Sequence, residues 1–277
     1  MYKYVASDID GTILPFYESK LSDMIIKDIL EYQRKSGNRF TLCTGRGYQI
    51  TKEFIDILGI KLPLILNNGA TLYDPITKVF FGEDFLPSDM VNKLLKIIAN
   101  YRNTRWSCTS NMGIYYSVDG DVRDIYEPRN KVEGVYKLHI DDFFEKIKST
   151  SVFQFSGVFF DENAQVKKIV SELEEIGFEV TETLAKHVSI EMYKKGVDKL
   201  HGVEKLAKYL GERDLDNFVV FGDNNNDLPM LRGLKNSYVV KNGCEAALLA
   251  ANKGIIDSVN ENGVGKILRE MIVNQER

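Results

Sequence analysis

Two carboxylates stand two residues apart in the segment SDIDGT (residues 7–12), directly after an apolar stretch near the N-terminus. At the carboxyl end of a strand in an open parallel sheet, such side chains would lie where ligands bind. Asp and Gly are equally ordinary in a polar turn, where an Asp side chain hydrogen-bonds the backbone. Taken alone, Asp8 and Asp10 therefore leave a catalytic and a turn interpretation open.

A second acidic segment, GDNNND (residues 222–227), also follows an apolar stretch, FVVF at 218–221. Four carboxylates that meet at one sheet edge raise one another's pKa unless a cation neutralises them. Oxygen ligands with no His or Cys nearby favour a hard ion, and a small carboxylate set that leaves room for water and phosphate favours Mg²⁺. The two acidic segments together therefore favour a Mg²⁺ site at one edge of the sheet.

Two other binding motifs are excluded by spacing. The second acidic segment begins like a calcium-binding loop, but Leu228 and Leu234 occupy the positions that require Gly and Glu. The Gly-Lys pair at 265–266 does not form a P-loop, because Asn260 replaces the first Gly and Ile267 replaces Ser or Thr.

Two further segments carry groups that could bind phosphate. TGR (residues 44–46) follows a second apolar stretch and is expected to open a helix, where backbone N–H groups and the helix dipole attract anions. The alternative is that Thr44 is a simple N-cap. Lys199, near the start of another predicted helix, is either a solvated surface group or a fixed cation that stabilises charge in phosphoryl transfer.

The elements around these segments alternate between strand and helix. Near the N-terminus the pattern predicts strands at 2–7, 40–43 and 64–66, with helices at 22–37 and up to 58. Near the C-terminus it predicts helices at 197–210 and 228–233, with strands at 218–221 and 237–240. We therefore expect an α/β fold with a Rossmann-like, doubly wound parallel sheet.

The middle of the chain has a different pattern, with predicted helices at 88–101 and 164–176 and aromatic-rich strands at 113–117 and 152–160. This pattern indicates a second, α+β domain inserted into the first. We place the first domain at residues 1–85 and 187–277 and the inserted domain at 86–186. The two acidic segments and the two segments that could bind phosphate all lie outside the inserted domain.

Composition narrows the class of protein. The 277 residues are 44% hydrophobic, and 40 acidic side chains face 36 basic ones, which is not the strong positive charge that nucleic acids or anionic membranes attract. No apolar run approaches the ~20 residues that span a bilayer. The three cysteines lack the spacing of a zinc or redox motif. We expect a cytoplasmic protein that binds neither nucleic acid nor membrane and is a monomer or weak homo-oligomer.

Taken in order, DIDGT (8–12), TGR (44–46), Lys199 and GDNNND (222–227) resemble the four motifs of the haloacid dehalogenase superfamily. The chain resembles specifically the Cof-like phosphatases with a type IIB cap, and the likeness spans essentially its whole length. The resemblance implies that residues 86–186 are an α+β cap domain, which acts as a lid that selects the substrate, and that the remaining residues are the catalytic core. The resemblance implies a Mg²⁺-dependent phosphatase that hydrolyses phosphomonoesters of small metabolites, such as sugar phosphates, through an aspartyl-phosphate intermediate.

The resemblance also implies a role for each carboxylate. Asp8 would be the nucleophile, and Asp10 the general acid that protonates the leaving alcohol and then activates water. Mg²⁺ would be held by the Asp8 carboxylate, the main-chain carbonyl of Asp10 and Asp223, with Asp227 in support. Side chains two apart on an extended strand are about 6.5 Å apart, so the backbone of Asp10 is the more natural ligand.

The same resemblance implies the groups that would bind substrate: Thr44, Gly45, Arg46, Asn67, Lys199 and Asn226. Thr44, Lys199 and Asn226 would hold the oxygens of the transferring phosphoryl group. Asn67 either faces the substrate or belongs to an Asn-Gly turn, and Arg46 either reaches the substrate or pairs with a surface acid.

Two other functions remain open. A phosphomutase would use the same Asp8 and Asp10 but return the phosphoryl group to substrate, and it would depend on a bisphosphate activator. A non-catalytic protein could bind a phosphorylated metabolite or a metal without turnover. The presence of Asp8, Asp10, Lys199 and Asp223 together argues against this last function.

Overall fold

A computed structural model of the chain describes residues 3–16, 18–101, 104–118, 132–160, 163–184 and 188–276. The chain divides into two compact units. The first unit comprises residues 1–46, 51–82 and 198–277, and the second comprises residues 47–50 and 83–197.

The strands, in chain order, are β1 (Tyr4–Ser7), β2 (Phe40–Leu42), β3 (Leu64–Leu66), β4 (Thr71–Asp74), β5 (Val79–Phe81), β6 (Thr104–Ser110), β7 (Gly113–Val118), β8 (Val135–His139), β9 (Val152–Phe159), β10 (Phe178–Leu184), β11 (Val188–Lys194), β12 (Phe218–Gly222), β13 (Ser237–Val240) and β14 (Gly254–Ile256). The helices are α1 (Asp23–Ser36), α2 (Lys52–Ile57), α3 (Ser88–Ile98), α4 (Ile140–Lys148), α5 (Asn163–Glu175), α6 (Lys199–Tyr209), α7 (Leu228–Gly233), α8 (Glu245–Leu248) and α9 (Gly263–Glu276).

The first unit is built on a parallel sheet with the strand order β14-β13-β12-β1-β2, which confirms the predicted fold class. Ala6 and Val220 lie opposite each other on the adjacent strands β1 and β12 and pack with Leu206 of α6 in one buried cluster. Continuous burial is typical of a parallel sheet, whose connecting helices cover its faces.

The predicted third strand is present, but it does not extend the parallel sheet by a full ladder. β3 pairs antiparallel with β4, and β4 with β5, in a separate three-stranded sheet. A single parallel bridge between Cys43 and Ile65 connects this sheet to the end of β2.

Local sequence signals account for the limits of α1. The Ser22 side chain accepts a hydrogen bond of 3.3 Å from the backbone N–H of Ile25, which satisfies one of the free donors at the helix start. Gly37 adopts φ 74°, and its N–H donates to the carbonyl of Gln33. A left-handed residue after the last turn favours glycine, so the helix ends where the sequence predicts.

The second unit contains a six-stranded sheet with the order β10-β11-β9-β6-β7-β8. Helices α3, α4 and α5 contribute Leu94, Phe143 and Ile169 to a core that also includes Trp106 and Phe155 from the sheet. This is the α+β architecture expected for the insertion.

The expected boundary between residues 186 and 187 is wrong, because the second unit extends to residue 197. β11, which was assigned to the core, pairs antiparallel with both β10 and β9 of the second sheet. These pairings are long-range and have no local sequence signal. The first boundary lies after residue 82 rather than 85, and residues 47–50 group with the second unit.

Within the described parts of the chain, no helix has both the length and the apolar character that a membrane crossing requires.

Candidate active site

The two acidic segments leave adjacent strands of the parallel sheet. Ser7, the last residue of β1, lies opposite Phe221 of β12. The backbone N–H of Asp8 then donates a hydrogen bond of 3.0 Å to the carbonyl of Phe221. Asp223 follows β12 directly, so both segments emerge at the carboxyl edge, where ligands bind in open α/β sheets.

The carboxylates of Asp8, Asp223 and Asp227 converge in the interior of the first unit. One oxygen from each lies within 4.8 Å of the others, and all three residues are buried. The Thr12 hydroxyl donates to Asp223 Oδ1 at 2.9 Å and lies 3.4 Å from Asp8 Oδ2. Three oxygen donors at this spacing form a set suited to a hard divalent cation.

Lys199 is fully buried among these carboxylates, so the interpretation of it as a solvated surface lysine is wrong. Its Nζ lies 2.6 Å from Asp8 Oδ1 and 2.6 Å from Asp227 Oδ1. Asp198 is the N-cap of α6, which carries Lys199, and its side chain accepts a hydrogen bond of 2.9 Å from the backbone N–H of His201. A Cβ on Gly69 would overlap the carbonyl of Asp198, so glycine lets this helix approach closely.

Asp227 organises the loop around Asp223. Its Oδ2 accepts hydrogen bonds from the backbone N–H of Asp223 at 2.8 Å and of Asn224 at 3.0 Å, and its Oδ1 accepts from Lys199. Both of its oxygens therefore already have protein partners. Asp8 and Asp223 are the carboxylates better placed to bind a metal ion directly.

Burial and mutual repulsion make the cluster electrostatically unfavourable without a cation. Burial raises the pKa of Asp8 to about 7, although the Lys199 ammonium opposes the shift. Burial and the charges of Asp8 and Asp227 raise the pKa of Asp223 well above its usual range. Burial lowers the pKa of Lys199, but Asp227 and Asp8 outweigh this effect and hold it above its usual range. Three carboxylates and one ammonium leave a net charge of −2, which Mg²⁺ would neutralise.

The Asp10 carboxylate does not join this cluster, so the expected convergence of four carboxylates is wrong for Asp10. Its Oδ1 accepts from Arg46 Nη2 at 2.6 Å, and its Oδ2 accepts from Arg46 Nε at 2.7 Å. The two parallel contacts form a bidentate ion pair, which is a strong and directional arrangement.

The TGR segment does not open a helix, because a bend at residues 45–46 separates Thr44 from α2. An anion at Thr44 or Gly45 would therefore not benefit from the α2 dipole, which acts only near the end of a helix. The Thr44 hydroxyl oxygen accepts from the backbone N–H of Arg46 at 3.1 Å. A hydroxyl that accepts one bond keeps its hydrogen to donate to a phosphoryl oxygen.

Residues 67–69 form a turn between β3 and β4, as in the Asn-Gly alternative. Asn67 and Asn68 have φ of 52° and 51°, the left-handed conformation that Asn tolerates better than most side chains. The N–H of Asn68 donates to the Thr44 carbonyl at 3.0 Å, and its side-chain oxygen accepts from Asn226 Nδ2 at 3.1 Å. The turn thus connects the TGR segment to the second acidic segment.

Two supporting residues were not assigned roles from the sequence. Thr12 belongs to the first motif, but only the structure shows its bonds to the carboxylates. Asn242 donates to the Gly11 carbonyl at 2.7 Å and accepts from the N–H of Val259 at 2.8 Å. A lone Asn far along the chain carries no local signal of such a contact.

The chain matches the family model of haloacid dehalogenase-like hydrolases over residues 5–268. It belongs to this family. Relatives include a Mycoplasma pneumoniae protein provisionally named a phosphatase, 26% identical over 98% of each chain. Another is the Bacillus subtilis 5-amino-6-(5-phospho-D-ribitylamino)uracil phosphatase, 25% identical over 96% of each chain.

Solved structures share the fold at lower identity. A sugar phosphatase of haloacid dehalogenase subclass IIB superposes with a TM-score of 0.79 at 20% identity, covering 97% of this chain and 98% of that one. Together with the family match, this confirms the sequence-based recognition of the family and of its fold with a cap domain. The family and the names of the relatives also confirm a hydrolase of the phosphatase type.

Proposed function

We propose that the protein is a Mg²⁺-dependent phosphatase that acts on small phosphorylated metabolites through an aspartyl-phosphate on Asp8. The observation that carries the proposal is the buried Asp8 carboxylate, held at 2.6 Å by Lys199 beside Asp223 and Asp227. A carboxylate whose oxygen is fixed by a buried ammonium is oriented for attack, and orientation is a large part of catalysis in phosphoryl transfer.

In the first half-reaction, an Asp8 oxygen forms a bond to phosphorus while the bond from phosphorus to the leaving oxygen breaks. Asp10 supplies a proton to that oxygen, which departs as an alcohol. The Lys199 ammonium stabilises the negative charge on the phosphoryl oxygens as the bonds exchange, and Thr44 and Asn226 donate hydrogen bonds to them.

In the second half-reaction, water attacks the phosphorus of the aspartyl-phosphate. The water oxygen bonds to phosphorus while Asp10 accepts a proton from the water. The bond between phosphorus and Asp8 breaks. Inorganic phosphate leaves, and the Asp8 carboxylate is restored. One residue thus serves first as acid and then as base.

The carboxylates fit a resident Mg²⁺. Asp8 and Asp223 would hold it together with the main-chain carbonyl of Asp10, while Asp227 keeps the loop in place. When bound, the ion would neutralise charge on the phosphoryl oxygens. The geometry supports this division of roles, because Asp227 uses both oxygens within the protein and the Asp10 side chain is engaged by Arg46.

We propose phosphomonoesters of small metabolites, sugar phosphates or related compounds, as the substrate class. The Bacillus subtilis relative acts, by its name, on a phosphorylated ribityl compound. We further propose that the enzyme is cytoplasmic, that it is a monomer or a weak homo-oligomer, and that it binds such a metabolite. The second unit would select among substrates as a lid.

The test measures hydrolysis of p-nitrophenyl phosphate by the purified protein with Mg²⁺ and with excess EDTA, alongside the Asp8→Asn variant. We expect turnover only with Mg²⁺, none in Asp8→Asn, and phosphate on Asp8 by mass spectrometry of the quenched enzyme. Full activity in EDTA would contradict the metal assignment, and phosphate on Asp10 would reverse the two roles. A panel of phosphorylated metabolites identifies the substrate, and dependence on a bisphosphate activator would indicate the phosphomutase instead.

A further inference from the structure

Arg46 holds both carboxylate oxygens of Asp10, the residue to which the proposed function assigns the proton transfers. The contacts are 2.7 Å from Nε to Oδ2 and 2.6 Å from Nη2 to Oδ1. Two parallel contacts from a planar guanidinium define both the position and the plane of a carboxylate. The pair therefore sets the direction in which Asp10 presents its oxygens.

Within this pair, Arg46 is the anchored partner. Its side chain is only 13% exposed, whereas that of Asp10 is 42% exposed. The Arg46 guanidinium carbon lies 5.4 Å from the centre of the Phe54 ring, and its backbone is bonded at both ends. Its N–H donates to the Thr44 hydroxyl at 3.1 Å, and its carbonyl accepts from the N–H of Asn67 at 3.1 Å. A fixed guanidinium can therefore orient a more exposed carboxylate.

The arrangement suits one of the two proton transfers better than the other. Both Asp10 oxygens accept hydrogen bonds from the Arg46 guanidinium, and this geometry fixes the direction of their remaining lone pairs. An oriented carboxylate is what the second half-reaction needs, since a lone pair must face the attacking water.

We propose that Arg46 is a positioning residue that orients Asp10 for hydrolysis of the aspartyl-phosphate. In that step the water oxygen bonds to phosphorus, its proton moves to an Asp10 oxygen, and the bond between phosphorus and Asp8 breaks. This inference rests on the proposed function and extends it. It differs from the expectation that Arg46 binds substrate, because the two roles act on different steps.

The test uses Arg46→Met, Arg46→Lys and wild type with p-nitrophenyl phosphate, whose leaving group needs little protonation. In Arg46→Met, phosphorylation of Asp8 should proceed while hydrolysis slows about 10- to 100-fold. We expect a burst of about one nitrophenol per active site, a steady-state phosphoenzyme, and kcat and KM lowered together so that kcat/KM is nearly unchanged. Arg46→Lys keeps one charged contact and should recover part of the hydrolysis rate.

The double variant Arg46→Met/Asp10→Asn is the matched control. If Arg46 acts through Asp10, the double variant should hydrolyse phosphoenzyme no more slowly than Asp10→Asn alone. A raised KM with unchanged kcat would overturn the proposal and assign Arg46 to substrate binding. A lowered kcat/KM without a burst, in both Arg46→Met and Arg46→Lys, would also overturn it. Failure of the proposed function is distinct, because wild type itself would then show no phosphoenzyme on Asp8.

Discussion

Asp8→Asn is expected to abolish turnover and yet to stabilise the metal-free protein at alkaline pH. Burial raises the pKa of Asp8 from 3.8, the value expected in the unfolded chain, to about 7 in the folded protein. The folded state therefore binds the proton more tightly than the unfolded state does. The corresponding stability is present below pH ~4 and is lost as the pH rises through about 7. Asn cannot ionise, so the variant avoids this loss.

The expected magnitude follows from the shift and from the groups that remain. A rise from 3.8 to about 7 corresponds to roughly 4 kcal/mol of lost stability once Asp8 is ionised. Lys199 keeps its 2.6 Å contact to Asp227 in the variant, so no buried ammonium is left without a carboxylate. We expect Asp8→Asn to exceed wild type by roughly 2–4 kcal/mol at pH 8, and by close to zero near pH 4.

Urea unfolding of wild type and variant in EDTA, from pH 4 to 8.5, measures this difference. For a chain of this size, a few kcal/mol should move the unfolding midpoint by about 1 M urea. Asp56→Asn, an exposed carboxylate in the same unit, is the matched control and should stay within about 0.5 kcal/mol of wild type. A difference between Asp8→Asn and wild type that does not change with pH, or a less stable variant at pH 8, would refute the reasoning.

Three further predictions concern the surroundings of the cluster. Gly11 and Gly37 both have positive φ, but only a Cβ on Gly11 would overlap Asp223 Oδ2. Gly11→Ala should therefore weaken Mg²⁺ binding, measured by calorimetry, at least ~10-fold, whereas Gly37→Ala should leave it unchanged. Asn242→Ala removes the donor to the Gly11 carbonyl and should cost about 1–3 kcal/mol in urea unfolding, whereas equal stability would show that water replaces the bond. Replacing residues 83–197 by a short linker should reduce the differences in kcat/KM between phosphorylated metabolites. An unchanged ranking of substrates would show that the first unit determines specificity.

The elements of the first unit were predictable where local chemistry defines them. Ser22 and Gly37 flank α1 because a side-chain oxygen and a left-handed glycine satisfy the free groups at its ends. β12 and β13 are short apolar runs bounded by polar residues, and both form at the predicted positions. Residues 188–194 were expected in the core but form β11 of the second sheet, because the residue pattern of a strand does not show which sheet the strand joins.

The candidate site was predictable as a set of residues but not as an arrangement. The types and order of Asp8, Lys199, Asp223 and Asp227 indicated a cation and phosphate chemistry, and the structure brings these four side chains together. The expected helix at Thr44 is absent, since a threonine after a strand is as compatible with a bend as with an N-cap.

By itself, the sequence determined the chemistry available to this protein: oxygen ligands, a lysine and phosphate-type motifs at the ends of strands, because residue type and local pattern are properties of short segments. Only the tertiary structure decided which partner each group has. Asp227 is occupied by the Asp223 loop and by Lys199, and Asp10 faces Arg46. The pairs Arg46–Asp10 and Lys199–Asp8 join residues that are 36 and 191 positions apart in the sequence. Contacts over such distances depend on how the strands and helices pack, which no local pattern encodes.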